Sequence, residues 1–359
     1  MEPLKEMFNY LFIDELAFHL KKSYSQFDIN QFKQNCITED YSQLSLNERM
    51  RRITKTMRLF LPDDFKNSLT ILYEVIPKIK NGYPTIIFPE FVGLFGQNYF
   101  DISLRALRDF TRFGSSEFAI REFLKLDFQK TIHTMQKWSE DKNHHVRRLA
   151  SEGSRPRLPW SFKLDEVIQN PFSTEIILNQ LKADKEIYVK KSVANHLNDI
   201  SKDNTDAFFS IINKWEKTDE NTKWIIKHAG RNLIKNGNPA MLKLVGVKSK
   251  AAISDLNFLI KHKKIKLGNN LDFEINFKSD KIQQLIVDYA IFYLKKNGKH
   301  SKKVFKLKTF EAPKSQIVKL KKKQLFKDFS TRKHNHGEHK IALIINGFVV
   351  AEESFFLTV

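Results

Sequence analysis

The sequence predicts a mainly α-helical protein: a solenoid of stacked helical repeats followed by a small β-sandwich of immunoglobulin-like size. Two patterns predict it, namely apolar residues three and four apart in successive runs as far as residue 247, and short alternating runs after residue 252. A third observation concerns the partner. Lysines and arginines outnumber acids by 61 to 41, a net charge of +20 that opposes compaction unless an anion relieves it. Nucleic acid is the expected partner, ahead of an anionic membrane. At 359 residues the chain exceeds one compact core, and the expected division is 1–250 for the helical part and 251–359 for the β domain.

The opening MEPLKEMFNYLFIDELAFHL carries Glu2, Glu6, Asp14 and Glu15 among its apolar residues, so it reads as an amphipathic helix rather than a signal peptide. Further helices are expected at 47–60, 64–79, 103–111 and 116–124. No run of about 18 apolar residues appears, so no membrane span is expected. Cys36 is the one cysteine and has no Cys or His at ligand spacing, which reads as a buried structural thiol. The expected setting is the bacterial cytoplasm, in association with the nucleoid.

Three segments repeat a pattern: DKNHHVRRLASE from Asp141, DKEIYVKKSVAN from Asp184 and DENTKWIIKHAG from Asp219, with a looser copy at 115–124. Their starts lie 43 and 35 residues apart, within the range of two-helix HEAT or armadillo repeats. The leading Asp suits an N-cap, and Val146, Val189 and Trp224 would begin the buried face. Each helix pair buries its apolar face only against its neighbours, so a HEAT-like α-solenoid follows.

Strands are expected at 271–277, 284–294, 303–309, 341–345 and 348–358, with Asn297-Gly298 and Asn346-Gly347 as hairpin turns. Residues 248–359 hold 24 lysines and arginines against 10 acids, whereas the first 247 hold 37 against 31. The small domain therefore carries most of the surplus charge.

The stretch His144 to Trp160, HHVRRLASEGSRPRLPW, begins in a helix that Gly153, Pro156 and Pro159 stop. An extended segment is expected beyond it. Glu152, the arginines Arg147, Arg148, Arg155 and Arg157, and the aromatic Trp160 gather at that helix end. One reading makes them surface ion pairs with Trp160 plugging a repeat junction; the other makes them a phosphate-gripping wall with an acid and a stacking platform. In the next repeat Asp199 lies ten residues after Val189, roughly 80° off the buried stripe. In-register stacking would bring it toward Glu152.

RRLASEGSRPRLPW (147–160) and VKKSVANHLNDISK (189–202), with the basic β domain behind them, resemble the AlkC branch of the HEAT-like DNA alkylation repair glycosylases, relatives of AlkD. The resemblance spans essentially the whole chain. It implies that Glu152, Trp160 and Asp199 line the place of the damaged nucleotide, with Arg148 beside them, and it adds Glu117 on a weaker motif. It implies a monofunctional DNA glycosylase of base excision repair that removes cationic N-alkylated bases of the 3-methyladenine and 3-methylcytosine class without flipping them. A ring-methylated base is already a good leaving group, so the remaining task is to stabilise an oxocarbenium-like sugar and orient water. That role falls to Asp199, with negative potential from Glu152 and a cation–π contact from Trp160. No lysine stands out as an imine-forming nucleophile. No cofactor and no metal are expected, the partner is double-stranded DNA with alkylated bases, and the chain is expected to act as a monomer.

His334-Asn-His-Gly-Glu-His339 has metal-site residue types but reads as a solvated loop, and Lys319–Lys323 as a non-specific basic run. No glycine-rich phosphate loop points to ATP. The alternatives are a non-catalytic HEAT-repeat nucleic-acid-binding scaffold, which needs no cluster of Glu152, Trp160 and Asp199, and an RNA-binding protein with the same basic surface.

Overall fold

The computed structural model describes residues 3–80, 82–247, 250–329 and 332–359. The chain divides into two compact units, Met1–Ala229 and Gly230–Val359. The described residues 230–247 and 250, assigned to the solenoid from sequence, cluster with the β unit.

The first unit is helical throughout. It runs α1 (Tyr10–Ser23), α2 (Ile29–Cys36), α3 (Leu46–Phe60), α4 (Phe65–Val75), α5 (Ile87–Phe95), α6 (Phe100–Phe110), α7 (Ala119–Leu126), α8 (Phe128–Trp138), α9 (His144–Gly153), α10 (Asp165–Gln169), α11 (Glu175–Leu181), α12 (Ile187–Asp203), α13 (Thr205–Asn213) and α14 (Glu220–Ala229). Short polar side chains start many of these. Asn9, Asp28, Asp64, Asp127 and Asn204 each accept a backbone N–H of the first turn, and Ser45 and Glu48 close a capping box. Such caps contribute about 1 kcal/mol each. The N-terminal stretch is not one helix as expected, because Asn9 caps α1 and leaves Leu4–Met7 as a separate 3-10 turn. Pro77 likewise stops α4 short of residue 79. Cys36 is buried, and burial pushes its thiol up to about 12.

The three aligned segments become α9, α12 and α14, with α12 packed between the other two. Their leading aspartates differ from expectation. Only Asp219 accepts from the first turn, at Thr222, whereas α9 is capped by Asn143 and α12 begins after Glu186. Asp141 and Asp184 sit two residues earlier, accept from the backbone N–H of Asn143 and Glu186, and hold arginines of the preceding helices. Val146 and Val189 are fully buried as expected, but Trp224 is only half-buried and stacks on His228 at 4.8 Å. Ile225 and Ile226 take its place in the core.

The second unit opens with α15 (Arg231–Lys235) and α16 (Pro239–Leu244) and continues as a two-sheet sandwich. Its strands are β1 (Ile253–Ile260), β2 (Lys264–Lys266), β3 (Asn270–Ser279), β4 (Gln283–Leu294), β5 (His300–Ala312), β6 (Ile317–Leu325), β7 (Gly337–Ile345) and β8 (Phe348–Thr358). One sheet has the order β1-β3-β6 and the other β2-β8-β7-β4-β5. Alternate residues supply the core: Leu271, Phe273, Ile275 and Phe277 of β3 share it with Leu285, Val287, Tyr289 and Ile291 of β4. Asn346 (φ 52°) and Gly347 (φ 82°) form the tight turn between β7 and β8. A side chain at Gly347 would meet the backbone of Gly237 at 2.1 Å, so this turn also needs glycine for close approach.

Strands β1, β2 and β6 lie outside the ranges expected from the sequence. Lys319–Lys323, read as a basic run, is an edge strand whose lysines flank the inward Val318 and Leu320. The stretch from His334 to His339 is not a solvated loop either. His339 is fully buried between the Asn335 carbonyl and the Leu294 amide, and His334 is held by Asp328. Among the described residues no group of three or more His, Cys, Asp or Glu could hold a metal. No described helix is long and apolar enough to cross a membrane.

Candidate active site

The segment after α9 is a succession of tight turns rather than the extended segment expected. Pro156 and Pro159 bring no N–H, and Trp160 takes a left-handed backbone with φ of 66°. That conformation costs a bulky L residue about 1–2 kcal/mol, so its surroundings hold it there. The indole emerges into solvent, 67% exposed.

The turn delivers Arg155 back against α9 and across to α12, and a row of alternating charges results. Glu117 pairs with Arg148 at 2.6 Å, and Arg148 stands 3.8 Å from Glu152. Glu152 accepts from Arg155 at 2.6 Å. Arg155 in turn reaches Asp199 through Nη2 at 2.8 Å and Nε at 2.9 Å, and Lys202 closes the row on the other Asp199 oxygen at 2.9 Å. Burial deepens along the row: the side chains of Glu117, Glu152 and Asp199 are 16%, 8% and 2% exposed. Burial works against the charge of Arg148 and of Arg155, but the flanking carboxylates outweigh it and hold both guanidiniums more firmly protonated than usual.

The row ends at a cavity of about 340 Å³ lined by Tyr83, Phe113, Glu117, His145, Arg148, Trp160 and Tyr188 among others. Of the three acids only Glu117 lines it. Arg148 also lies over the Tyr188 ring at 4.2 Å and donates to Ser115 at 3.1 Å, so its orientation is fixed on three sides. No described lining residue is a lysine.

The remaining arginines named from sequence lie elsewhere. Arg147 is tied to Asp184 at 2.6 Å and to the carbonyls of Asp141 and Lys142, a strut between repeats. Arg157 is paired with Asp203 at 2.6 Å. Asp199, placed by helix geometry 80° off the buried stripe, is in fact enclosed, because the turn folds back over it. Tyr83, Tyr188 and His145 were not expected; His145 and Tyr188 hold the same place, directly before the valine, in two of the aligned repeat segments, and that shared position is the signal that could have suggested them.

His196 lies fully buried beneath the row. Its Nδ1–H donates to the Ser151 carbonyl at 3.0 Å, which leaves Nε2 to accept from the Thr174 hydroxyl at 3.2 Å. Burial, reinforced by Arg155 against the opposing Ser151 bond, drives its pKa down to about 3. A depressed histidine contributes stability that is present above its unfolded value near 6.5 and is lost as pH falls toward 3. The helical unit should therefore lose about 1.4 kcal/mol per pH unit below about 6.5 from this group. Denaturant melts at pH 7.5, 5.5 and 4.5 check it, and His196→Gln should flatten that part of the profile.

Residues 111–233 match the family model described as DNA alkylation repair enzyme, and residues 255–359 match the model described as the C-terminal Ig-like domain of the uncharacterised protein YhaZ. The chain is 41% identical over 349 residues to a Bacillus subtilis (strain 168) protein described as uncharacterized protein YhaZ, a match covering 97% of this chain and 98% of that one. It is also similar to the solved structure of Pseudomonas fluorescens alkylpurine DNA glycosylase AlkC bound to DNA containing an abasic site analog. The two share 41% identity and a TM-score of 0.95 over 100% of both chains.

Proposed function

The chain belongs to the AlkC family of DNA alkylation repair glycosylases, and from this premise we propose that it removes cationic N-alkylated bases, of the 3-methyladenine and 3-methylcytosine class, by monofunctional hydrolysis. The observation that carries the reading is the row of three carboxylates and two guanidiniums ending at the open cavity beside Trp160.

The C1′–N bond breaks, and its electron pair neutralises the positive charge of the departing base. Water adds to C1′, and its proton leaves to a carboxylate or to solvent. A cationic base needs no general acid, so carboxylates suffice. Glu117, at the cavity, faces the positive sugar; Glu152 and Asp199 deepen the negative potential behind it. Asp199 reaches water directly only when Lys202, whose side chain is 45% exposed, releases Oδ1. Trp160 supplies a π face to the cation. An exposed indole on an open wall suits a lesion approached within the duplex better than a base swung into a closed slot. The absence of lysine among the described lining residues supports water, rather than an amine, as the nucleophile.

Purified protein in EDTA should release free base from a duplex carrying one N3-methyl lesion. The abasic strand should stay intact until alkali is added. No release would leave the scaffold reading standing, borohydride trapping of a covalent complex would contradict hydrolysis, and preference for a matched RNA duplex would contradict the DNA assignment.

The β4–β5 hairpin bears on DNA affinity. Residues 289–310 hold Lys295, Lys296, Lys299, Lys302, Lys303, Lys306 and Lys308 and no acid. Changing Lys302, Lys303, Lys306 and Lys308 to Gln should weaken duplex binding alike for all sequences. The salt slope should fall by about 0.9 for each phosphate that is no longer neutralised. An unchanged slope would remove β5 from the DNA grip.

A further inference from the structure

Trp160 presents its ring from a backbone conformation that bulky residues avoid, on a turn with few bonds of its own: Ser161 N–H to Leu158 O at 3.3 Å and Leu164 N–H to Pro156 O at 3.1 Å. What holds the turn comes from another helix. Arg121 of α7 is fully buried, with no carboxylate within 4 Å among the described residues. Its Nη1 donates to the carbonyls of Gly153 at 2.9 Å and Arg155 at 2.7 Å, its Nη2 donates to the carbonyl of Phe162, and its guanidinium lies 5.3 Å from the Phe162 ring centre.

A buried cation is costly unless most of its donors are satisfied: Nη1 and Nη2 are served by carbonyls, Nε is left without a partner, and the C-terminal end of α9 adds the negative end of the helix dipole. The fit depends on Gly153. A Cβ there would fall 2.5 Å from Ile120 Cγ2, so glycine lets the end of α9 lie against α7. Arg121 stands four residues after Glu117, so one short stretch of chain carries the cavity carboxylate and grips both ends of the turn that carries Arg155 and Trp160. A side chain needed only to fill volume would be apolar here.

We propose that Arg121 is a positioning residue of the glycosylase site, fixing the Trp160 turn against the element that presents Glu117. The inference rests on the glycosylase reading above. Arg121→Lys keeps the charge and one or two of the carbonyl bonds, while Arg121→Met keeps the bulk alone; should the Met variant fail to fold, the Lys variant carries the measurement. On an N3-methyl duplex the single-turnover rate should fall by about tenfold to a hundredfold, as small misplacements of a site do, with the Met variant lower than the Lys variant. Affinity for undamaged duplex should change by less than about twofold, because Arg121 is fully buried and offers no charge to a phosphate. Of the four tryptophans Trp160 alone is exposed, so acrylamide quenching should register the released turn. In a Trp160→Ala background the Lys substitution should cost less than about twofold, because the ring it positions is gone. Equal losses in both backgrounds, or a lowered melting temperature with wild-type rate and quenching, would overturn the proposal. Wild-type protein without base release would instead overturn the glycosylase reading.

Discussion

Asp199→Ala is expected to cost about 3–5 kcal/mol of folding stability and to abolish base release, because it strands a buried cation. Arg155 is only 8% exposed and divides its donors between Glu152 and Asp199. With Asp199 gone, Nε and Nη2 lose their acceptor in a place water does not reach, and the chain can recover only by letting Arg155 swing out. That movement undoes the turn behind α9 and carries Trp160 with it, so stability and activity fall together. Asp199→Asn separates the two effects. Its amide oxygen still accepts from Arg155, so most of the stability should remain, while the lost negative charge lowers the single-turnover rate by about tenfold to a hundredfold. Urea unfolding alongside single-turnover base release measures both. An alanine variant as stable as wild type would show that Arg155 has another partner, and an asparagine variant with full activity would remove the Asp199 charge from the chemistry.

The helical repeats, the composition switch near residue 250 and the two motif stretches were legible because each is local: a period, a cap or a helix stop is written within about fifteen residues. The meeting of Glu152 with Asp199 was half legible. Repeat register set the pair near each other, but the Arg155 bridge depends on a turn whose path Pro156 and Pro159 permit without specifying. Tyr83 lay beyond reach, since it arrives at the cavity from the chain before α5, more than sixty residues ahead of Arg148. Arg121 was invisible for a different reason: on a short amphipathic helix an arginine reads as solvated, and only the carbonyls of a distant turn make it a buried clamp. In the β unit the lysines of β6 hid the inward Val318 and Leu320. Polar residues on an edge strand protect it from pairing further, and they mask its alternation in the same stroke.

Glu117→Gln should lower single-turnover base release by about a hundredfold to a thousandfold while leaving fold and duplex affinity nearly intact. Glu117 is the carboxylate at the cavity, so its charge is the one least screened from a developing positive sugar. The substitution is isosteric, and Arg148 keeps Ser115, the Tyr188 ring and Glu152 as partners, so the guanidinium is not stranded as Arg155 would be in the alanine variant. Glu152→Gln should cost less in rate, since that carboxylate lies one guanidinium further from the cavity. The ordering is what tests the proposal, because both variants remove one negative charge from the same row. If Glu152→Gln proves the slower enzyme, the reacting sugar lies deeper than the cavity mouth, and Arg148 must move aside to admit it. That movement would break its contact with the Tyr188 ring, and Tyr188→Leu would then raise rather than lower the rate of the chemical step.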